Sequence, residues 1–241
     1  MSIIKNKYEI ININSIPSTN SFLKENYEDF KEFTVLVCDN QTGGKGRMGR
    51  VWFSSNDNIA MSILLKPKSD INISNISLVV GASVFNVLNR YVNCSIKWPN
   101  DILSNDKKLC GILLEAISTN EVEALICGIG ININQTEFEK EIENKATSLK
   151  KLLNKDFDKA LIINEIINSF DRLYTDFING NNTYMEIIRN NFYLKDKIGF
   201  INGNEEVKII DIDEEGKLIV LSNNELKKLN SGEITLEKFY N

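Results

Sequence analysis

The stretch Gln41-Thr42-Gly43-Gly44-Lys45-Gly46-Arg47-Met48-Gly49-Arg50-Val51-Trp52-Phe53-Ser54-Ser55 sets glycines among cations and ends them with a tryptophan. Glycines at this density let the backbone take φ > 0 and come close to a ligand. Cations at this density attract phosphate or carboxylate, arginine through a planar two-pronged fork. The stretch predicts a binding loop for a polyanionic small molecule. Composition alone leaves a solvated basic loop as the plain alternative.

Two familiar phosphate motifs nearly fit, and both fail on context. Gly44 to Gly49 reads G-x-G-x-x-G, but a dinucleotide fingerprint needs a helix to start there and face the pyrophosphate. The next residues are instead the β-prone Val51-Trp52-Phe53 and then turn formers. About 20 residues further on, where a ribose-binding acid belongs, stand Lys66, Pro67 and Lys68. The spacing Gly44-x4-Gly49 also approaches a P-loop, but Arg50-Val51 occupy the Lys-Ser/Thr positions and no hydroxyl remains for magnesium.

Outward from this loop the chain alternates short strands with helices. Tyr8–Ile13 predicts a strand broken by Pro17, followed by a short helix over 21–27 with Ser18 or Thr19 as its N-cap. Phe33–Cys38 predicts a buried strand delivering Asp39, Asn40 and Gln41 to the loop, and Ile59–Lys66 a further strand ended by Pro67. Leu78–Val92 has helical period, with Gly81, Ala82 and Ser83 suited to close packing on a sheet. Lys97-Trp98-Pro99-Asn100-Asp101 reads as a strand end and turn, Lys107–Glu115 as the next strand. Glu121–Asn134 is a long strand whose internal glycines permit a close approach or a bulge. Ala146-Thr147-Ser148-Leu149 opens a helix, and 156–179 and 183–192 come after it as amphipathic helices. From Lys195 short β-prone pieces alternate with turns at Gly203-Asn204, at Asp213–Gly216 and at Ser231-Gly232.

The 241 residues carry 42% hydrophobic and 25% charged residues, the balance of an ordinary soluble globular chain. A net charge of −5 gives no global pull toward nucleic acid, so the basic loop is a local exception. No run approaches the roughly 18 apolar residues of a membrane span, and no signal peptide opens the chain. Cys38, Cys94, Cys110 and Cys127 lack C-x-x-C spacing and read as buried free thiols of a reducing compartment, so a cytoplasmic location is expected. There is no histidine. That excludes Ser-His-Asp and Cys-His catalysis, histidine acid–base work and most zinc hydrolases. Chemistry then rests on lysine, arginine, carboxylates, amides or a bound metal, which suits charge stabilisation around phosphates.

Five motifs in order resemble the biotin protein ligases over nearly the whole chain: Ser18-Thr19-Asn20, the glycine-basic loop, Lys97-Trp98-Pro99-Asn100-Asp101, Lys108-Leu109-Cys110-Gly111-Ile112-Leu113-Leu114-Glu115 and Gly128-Ile129-Gly130-Ile131-Asn132. One departure is Lys45, where the family has arginine; it keeps the charge and loses the fork. The resemblance implies an α+β fold, with a mixed β-sheet catalytic domain of the biotinyl/lipoyl ligase type over residues 1–193 and a small SH3-like β-barrel over 194–241. It implies that Ser18, Thr19, Asn20, Gln41, Lys45, Gly46, Arg47 and Lys108 bind biotin, Lys108 at its carboxylate and acyl phosphate. Arg47, Arg50, Trp52, Asn100 and Asn132 are then expected at ATP and the adenylate, with Trp52 stacking on adenine. Lys108, Asp101 and Arg47 are the expected catalytic residues, Asp101 holding the incoming lysine amine or helping to place magnesium. Lys97 reads as partly structural. ATP and Mg2+ are implied, biotin as substrate, with no tightly bound prosthetic group and no assigned metal ligands. The implied protein partner is the biotin carboxyl carrier domain of a carboxylase, with neither nucleic acid nor membrane, and a homodimer through an exposed sheet edge is compatible. The alternatives are a lipoate or octanoate ligase of the same fold, whose members lack this loop and K-W-P-N-D, a biotin-responsive DNA-binding repressor, and a nucleic-acid-binding protein using the basic loop. The S-T-N triplet arrives within the first 20 residues, leaving no space before it for a helix-turn-helix, so no operator binding is expected.

Overall fold

The structure, a computed structural model, describes residues 7–67, 72–201, 203–231 and 234–235. Its centre is a seven-stranded mixed sheet built from β1 (Glu9–Ile16), β2 (Thr34–Gln41), β3 (Ile59–Leu65), β4 (Ser95–Lys97), β5 (Asp101–Ser104), β6 (Lys107–Ser118) and β7 (Val122–Ile131). The strand order is β1-β2-β3-β7-β6-β5-β4. Only β1 and β2 run parallel, because the helix α1 (Thr19–Asn26) crosses between them; the other neighbours are antiparallel. β3 is apolar at every position except Ser62 and is buried throughout, as a central strand covered on both faces must be.

One face carries α2 (Ile76–Leu88), which packs on α4 (Lys159–Ile178) and α5 (Thr183–Asn190). Gly81 of α2 faces Ile112 of β6, the close helix–sheet approach expected of its small residues. α2 stops at Leu88, short of Val92, because the Asn89 side chain turns to accept the Cys94 N–H at 2.9 Å. The opposite face carries α1 over a smaller apolar cluster of Leu23, Leu36, Leu64, Ala124 and Ile126. Ser18 is the N-cap of α1, its hydroxyl accepting from the Ser21 N–H; Thr19 lies inside the helix. Ser148 caps α3 (Leu149–Leu153) in the same way, accepting from the Lys151 N–H at 3.0 Å.

The C-terminal residues form an antiparallel sheet of β8 (Ile198–Ile201), β9 (Glu205–Ile212), β10 (Leu218–Ser222), β11 (Glu225–Leu229) and β12 (Ile234–Thr235), in the order β11-β10-β9-β8-β12. Among the described residues it is open, with β11 and β12 at its edges. Gly203 and Gly216 turn it at positive φ. Of the expected Ser231-Gly232 turn, Gly232 lies outside the described residues. The module's core residues, Val207, Ile209 and Val220 among them, join the same apolar cluster as α2 and the large sheet. Polar bonds fasten it: the Trp98 indole donates to the Gly216 carbonyl at 3.0 Å, the Asn75 amide to the Glu214 carbonyl at 2.8 Å, and Arg189 to the Ile212 carbonyl. The four cysteines are free and buried. No described helix is long and apolar enough to cross a membrane.

Candidate functional site

A cleft opens where β2, β3, β6 and β7 meet the glycine-basic loop, and it encloses about 470 Å³ out to its mouth. Ser18, Thr19, Asn20 and Gln41 line one end, Lys45, Gly46 and Arg47 the loop side, and Trp52, Asn100 and Lys108 the remainder. Arg50, Asp101 and Asn132 stand outside that lining.

At the first end the hydrogen bonds can be traced, the Ser62 hydroxyl lying 2.7 Å from both the Thr19 hydroxyl and Asn20 Oδ1 with one proton for the two. Gln41 belongs to β2, paired with Ile16 of β1, and is not the loop amide its sequence context suggests. Its Oε1 accepts from the Thr19 N–H at 2.7 Å and the Thr19 hydroxyl at 3.0 Å. Its NH2 group therefore faces away from Thr19 and keeps its protons. Asn20 gives both amide protons away, to the Leu113 carbonyl at 3.2 Å and to Glu115 Oε2 at 2.9 Å. Its Oδ1 sits 2.7 Å from the Ser62 hydroxyl, leaving one lone pair for a ligand. The Ser18 hydroxyl accepts from its own helix and keeps its proton. The cleft thus offers donors from Ser18 and Gln41 and an acceptor from Asn20. Ser62 and Glu115 orient these groups; Glu115 ends one of the five motifs without a role assigned to it, and Ser62 was not singled out from the sequence. The lone serine in Ile59–Leu65 was the available signal, since a hydroxyl in a wholly buried strand must find a partner.

The glycines of β6 and β7 make room for side chains. The register runs unbroken through Gly111↔Gly130, so there is no bulge here. A methyl on Gly128 would collide with the Asn20 amide, and one on Gly130 with the Trp52 indole. The indole lies against Gly130 and Gly111, and its Nε1–H is buried without a hydrogen-bond partner among the described residues. A buried donor without a partner is rare in native proteins, and here it belongs to a side chain that lines the cleft.

The other end is cationic. Lys108, at the start of β6, pairs with Asp101, at the start of β5, at 2.7 Å, and its ammonium lies 5.5 Å from the Trp52 ring. The Lys108 backbone is gripped on both sides: its N–H donates to the Lys145 carbonyl at 2.7 Å and its carbonyl accepts from the Thr147 N–H at 3.0 Å. Asn132 adds its amide to the Lys108 and Thr147 carbonyls, at 3.3 and 3.0 Å. In this structure Asn132 therefore holds the lysine strand from behind. Arg47 donates to Asn100 Oδ1 at 3.2 Å and to the Ser231 hydroxyl at 2.9 Å. Burial pulls the Arg47 guanidinium below its ordinary value, against the opposing charge of Asp101. Lys97 is buried, and desolvation lowers its ammonium to about 8, with Asp101 resisting and Lys108 and Arg50 assisting. Lys108, Lys97 and Arg47 thus surround one carboxylate, with Arg50 near enough to act on Lys97 and Arg47, an excess of positive charge suited to phosphates. Among the described residues no three carboxylate, cysteine or histidine side chains gather around a metal position.

Compared with known proteins, residues 13–132 match the biotin/lipoate A/B protein ligase family and residues 198–236 the biotin protein ligase C-terminal domain. The chain is 34% identical over 216 residues to the bifunctional ligase/repressor BirA of Bacillus subtilis, an alignment covering 85% of this chain and 66% of that protein. It is 33% identical over 104 residues to the biotin–[acetyl-CoA-carboxylase] ligase of Paracoccus denitrificans, covering 41% and 43%. The biotin protein ligase of Aquifex aeolicus in complex with biotin and ATP superposes with a TM-score of 0.85 at 31% identity, covering 94% of this chain and 97% of that one. With both family models matched in order and the superposition spanning nearly the whole of both chains, the chain belongs to the biotin/lipoate A/B protein ligase family and, within it, to the biotin protein ligases.

Proposed function

We propose that this chain activates biotin with ATP and transfers it to a lysine of a biotin carboxyl carrier domain. A carboxylate oxygen of biotin attacks the α-phosphorus of ATP, the bond to the β-phosphate breaks, and biotinyl-5′-AMP and pyrophosphate form. The acceptor amine then attacks the acyl carbon, AMP leaves, and an amide remains. Lys108 and Arg47 neutralise charge on the acyl phosphate, Arg50 and Lys97 add to the field, and Asp101 holds the incoming amine. Trp52 offers adenine a ring face. A magnesium ion brought with ATP would find Asp101 and Asn100 as the nearby oxygen donors, both already held, by Lys108 and Arg47. It would supply further charge neutralisation at the phosphates.

The observation that carries the reading is the match between the cleft's free donors and acceptor and a cyclic urea. The urea carbonyl accepts from Ser18 and Gln41, and a urea N–H donates to Asn20. A dithiolane or an alkyl chain has no such groups and leaves these polar atoms unpaired, at about 1–3 kcal/mol each. Biotin-dependent exchange of labelled pyrophosphate into ATP tests this, with lipoate and octanoate alongside. Exchange with biotin at least about 100-fold faster is expected. Exchange with lipoate alone would move the substrate, and none with any acid would end the ligase reading.

The buried Lys97 gives this half-reaction a pH dependence. The unfolded lysine titrates at its ordinary 10.5, the folded one at about 8. Below about 8 both states hold the proton and the buried charge is a fixed cost; between those values only the unfolded chain holds it, so this group makes folding less favourable as pH falls through that window and contributes no further change below it. For phosphate binding the sign is opposite, because the attracting charge disappears as pH rises. The KM for ATP in the exchange assay is expected to rise about three- to tenfold between about pH 7 and 9.5. Lys97→Met should flatten that rise, and a flat wild-type profile would remove Lys97 from the phosphate field.

A further inference from the structure

We propose that Ser231, in the C-terminal β module, is a positioning residue for Arg47 and through it for the glycine-basic loop. The inference rests on the ligase reading only for the identity of what the loop covers. The loop closes on itself: the Gly46 N–H donates to the Arg50 carbonyl at 2.7 Å, the Trp52 N–H to the Gly44 carbonyl at 3.0 Å, and Arg47–Gly49 make a single 3-10 turn. Its tip is unsupported by packing, with Met48 85% and Val51 66% exposed. What ties this tip to the body is therefore polar. Lys45 reaches the Ser21 hydroxyl at 3.1 Å, a single flexible ammonium contact. Arg47 is different, because two of its nitrogens have acceptors on separate parts of the chain, Asn100 and Ser231.

Two acceptors fix a planar fork in direction, whereas one leaves it free to turn about that bond. Asn100 is itself held on both sides: its side-chain amide donates to the Ile112 carbonyl at 2.8 Å and its backbone carbonyl accepts from the Ile112 N–H at 2.9 Å. Ser231 is carried by a module fastened elsewhere, through Trp98, Asn75 and Arg189. The hydroxyl is thus a peg on a separately anchored frame, and its loss should free Arg47 without undocking the module. It also makes the small module a direct participant in the site, reaching across the sequence from residue 231 to residue 47.

The test begins without substrates. Trypsin cleaves after Lys45, Arg47 and Arg50, so the rate of nicking within 44–52, read by mass, reports how often the loop opens. Ser231→Ala is expected to raise that rate about tenfold, the loss of a hydrogen bond to a charged group, with new cleavage confined to the loop and the thermal midpoint lowered by no more than about 2–4 °C. Ser231→Thr, which keeps the hydroxyl, should restore it. The second arm measures release of biotinyl-AMP formed from biotin and ATP, expected severalfold faster in Ser231→Ala. Nicking equal to wild type would overturn the positioning role. So would a midpoint lowered by about 10 °C or more with cleavage spread over the module, which would make Ser231 part of the module's fold. Faster loop nicking in Ser231→Ala, with a wild-type protein that forms no biotinyl-AMP, would uphold the tether and overturn the ligase reading alone.

Discussion

Replacing Lys108 by glutamine is expected to lower the rate of biotin-dependent pyrophosphate exchange about 1,000-fold while leaving the fold intact. The lysine is held in place before any ligand arrives, its backbone by Lys145, Thr147 and the Asn132 amide and its ammonium by Asp101. Its charge therefore meets the developing negative charge at the α-phosphate without reorganisation, and removing one such preorganised group costs about 3–4 kcal/mol of barrier. The stability cost is small by comparison. The Lys108–Asp101 pair is partly exposed, with side chains at 32% and 16%, and pairs of that kind contribute up to about 1 kcal/mol. In a chain of this length that moves the thermal midpoint by about 2–4 °C at most. Glutamine keeps a donor for Asp101, so the carboxylate is not abandoned. Exchange within threefold of wild type would mean that another cation carries the α-phosphate.

Arg47→Ala should spare adenylate formation more than adenylate retention. The guanidinium sits at the open side of the cleft, tied to Asn100 and Ser231, and a charge-assisted bond to phosphate contributes about 1.5–3 kcal/mol. Release of biotinyl-AMP is accordingly expected to accelerate about 10- to 100-fold, read by filter retention or by its hydrolysis in solution. Arg47→Lys should recover only part of this, because the ammonium cannot reach both anchors as a fork does. Lys45 already shows the consequence of that exchange within the same loop: it makes one side-chain contact, to Ser21, where Arg47 makes two. Adenylate held by Arg47→Ala as long as by wild type would assign retention to another residue.

The residues that carry chemistry announced themselves by local pattern. Glycine–cation alternation, the proline turn of Lys97–Asp101 and the capping triplet at Ser18 are short-range signals, set by backbone freedom, turn geometry and charge within a few residues. Helices and strands were legible for the same reason, with errors at ends such as α2, where a single side chain such as Asn89 decides the stop. Gln41 was misplaced because only its pairing with Ile16 extends β2 that far. The glycines of β7 were legible as sites of close approach, but what approaches was not: Asn20 lies 108 positions before Gly128, and Trp52 far before Gly130.

By itself the sequence determined which elements form, which cations and amides are available, and, by excluding histidine, what kind of chemistry they can perform. Tertiary structure alone decided the use of each polar group. It turned Asn20 into an acceptor by spending both its protons on Leu113 and Glu115, moved Asn132 behind Lys108, and brought Ser231 to Arg47. The physical reason is that a hydrogen bond's direction depends on where both partners stand. For these pairs that is set by sheet register and module docking across tens to hundreds of residues, which no local pattern of side chains encodes.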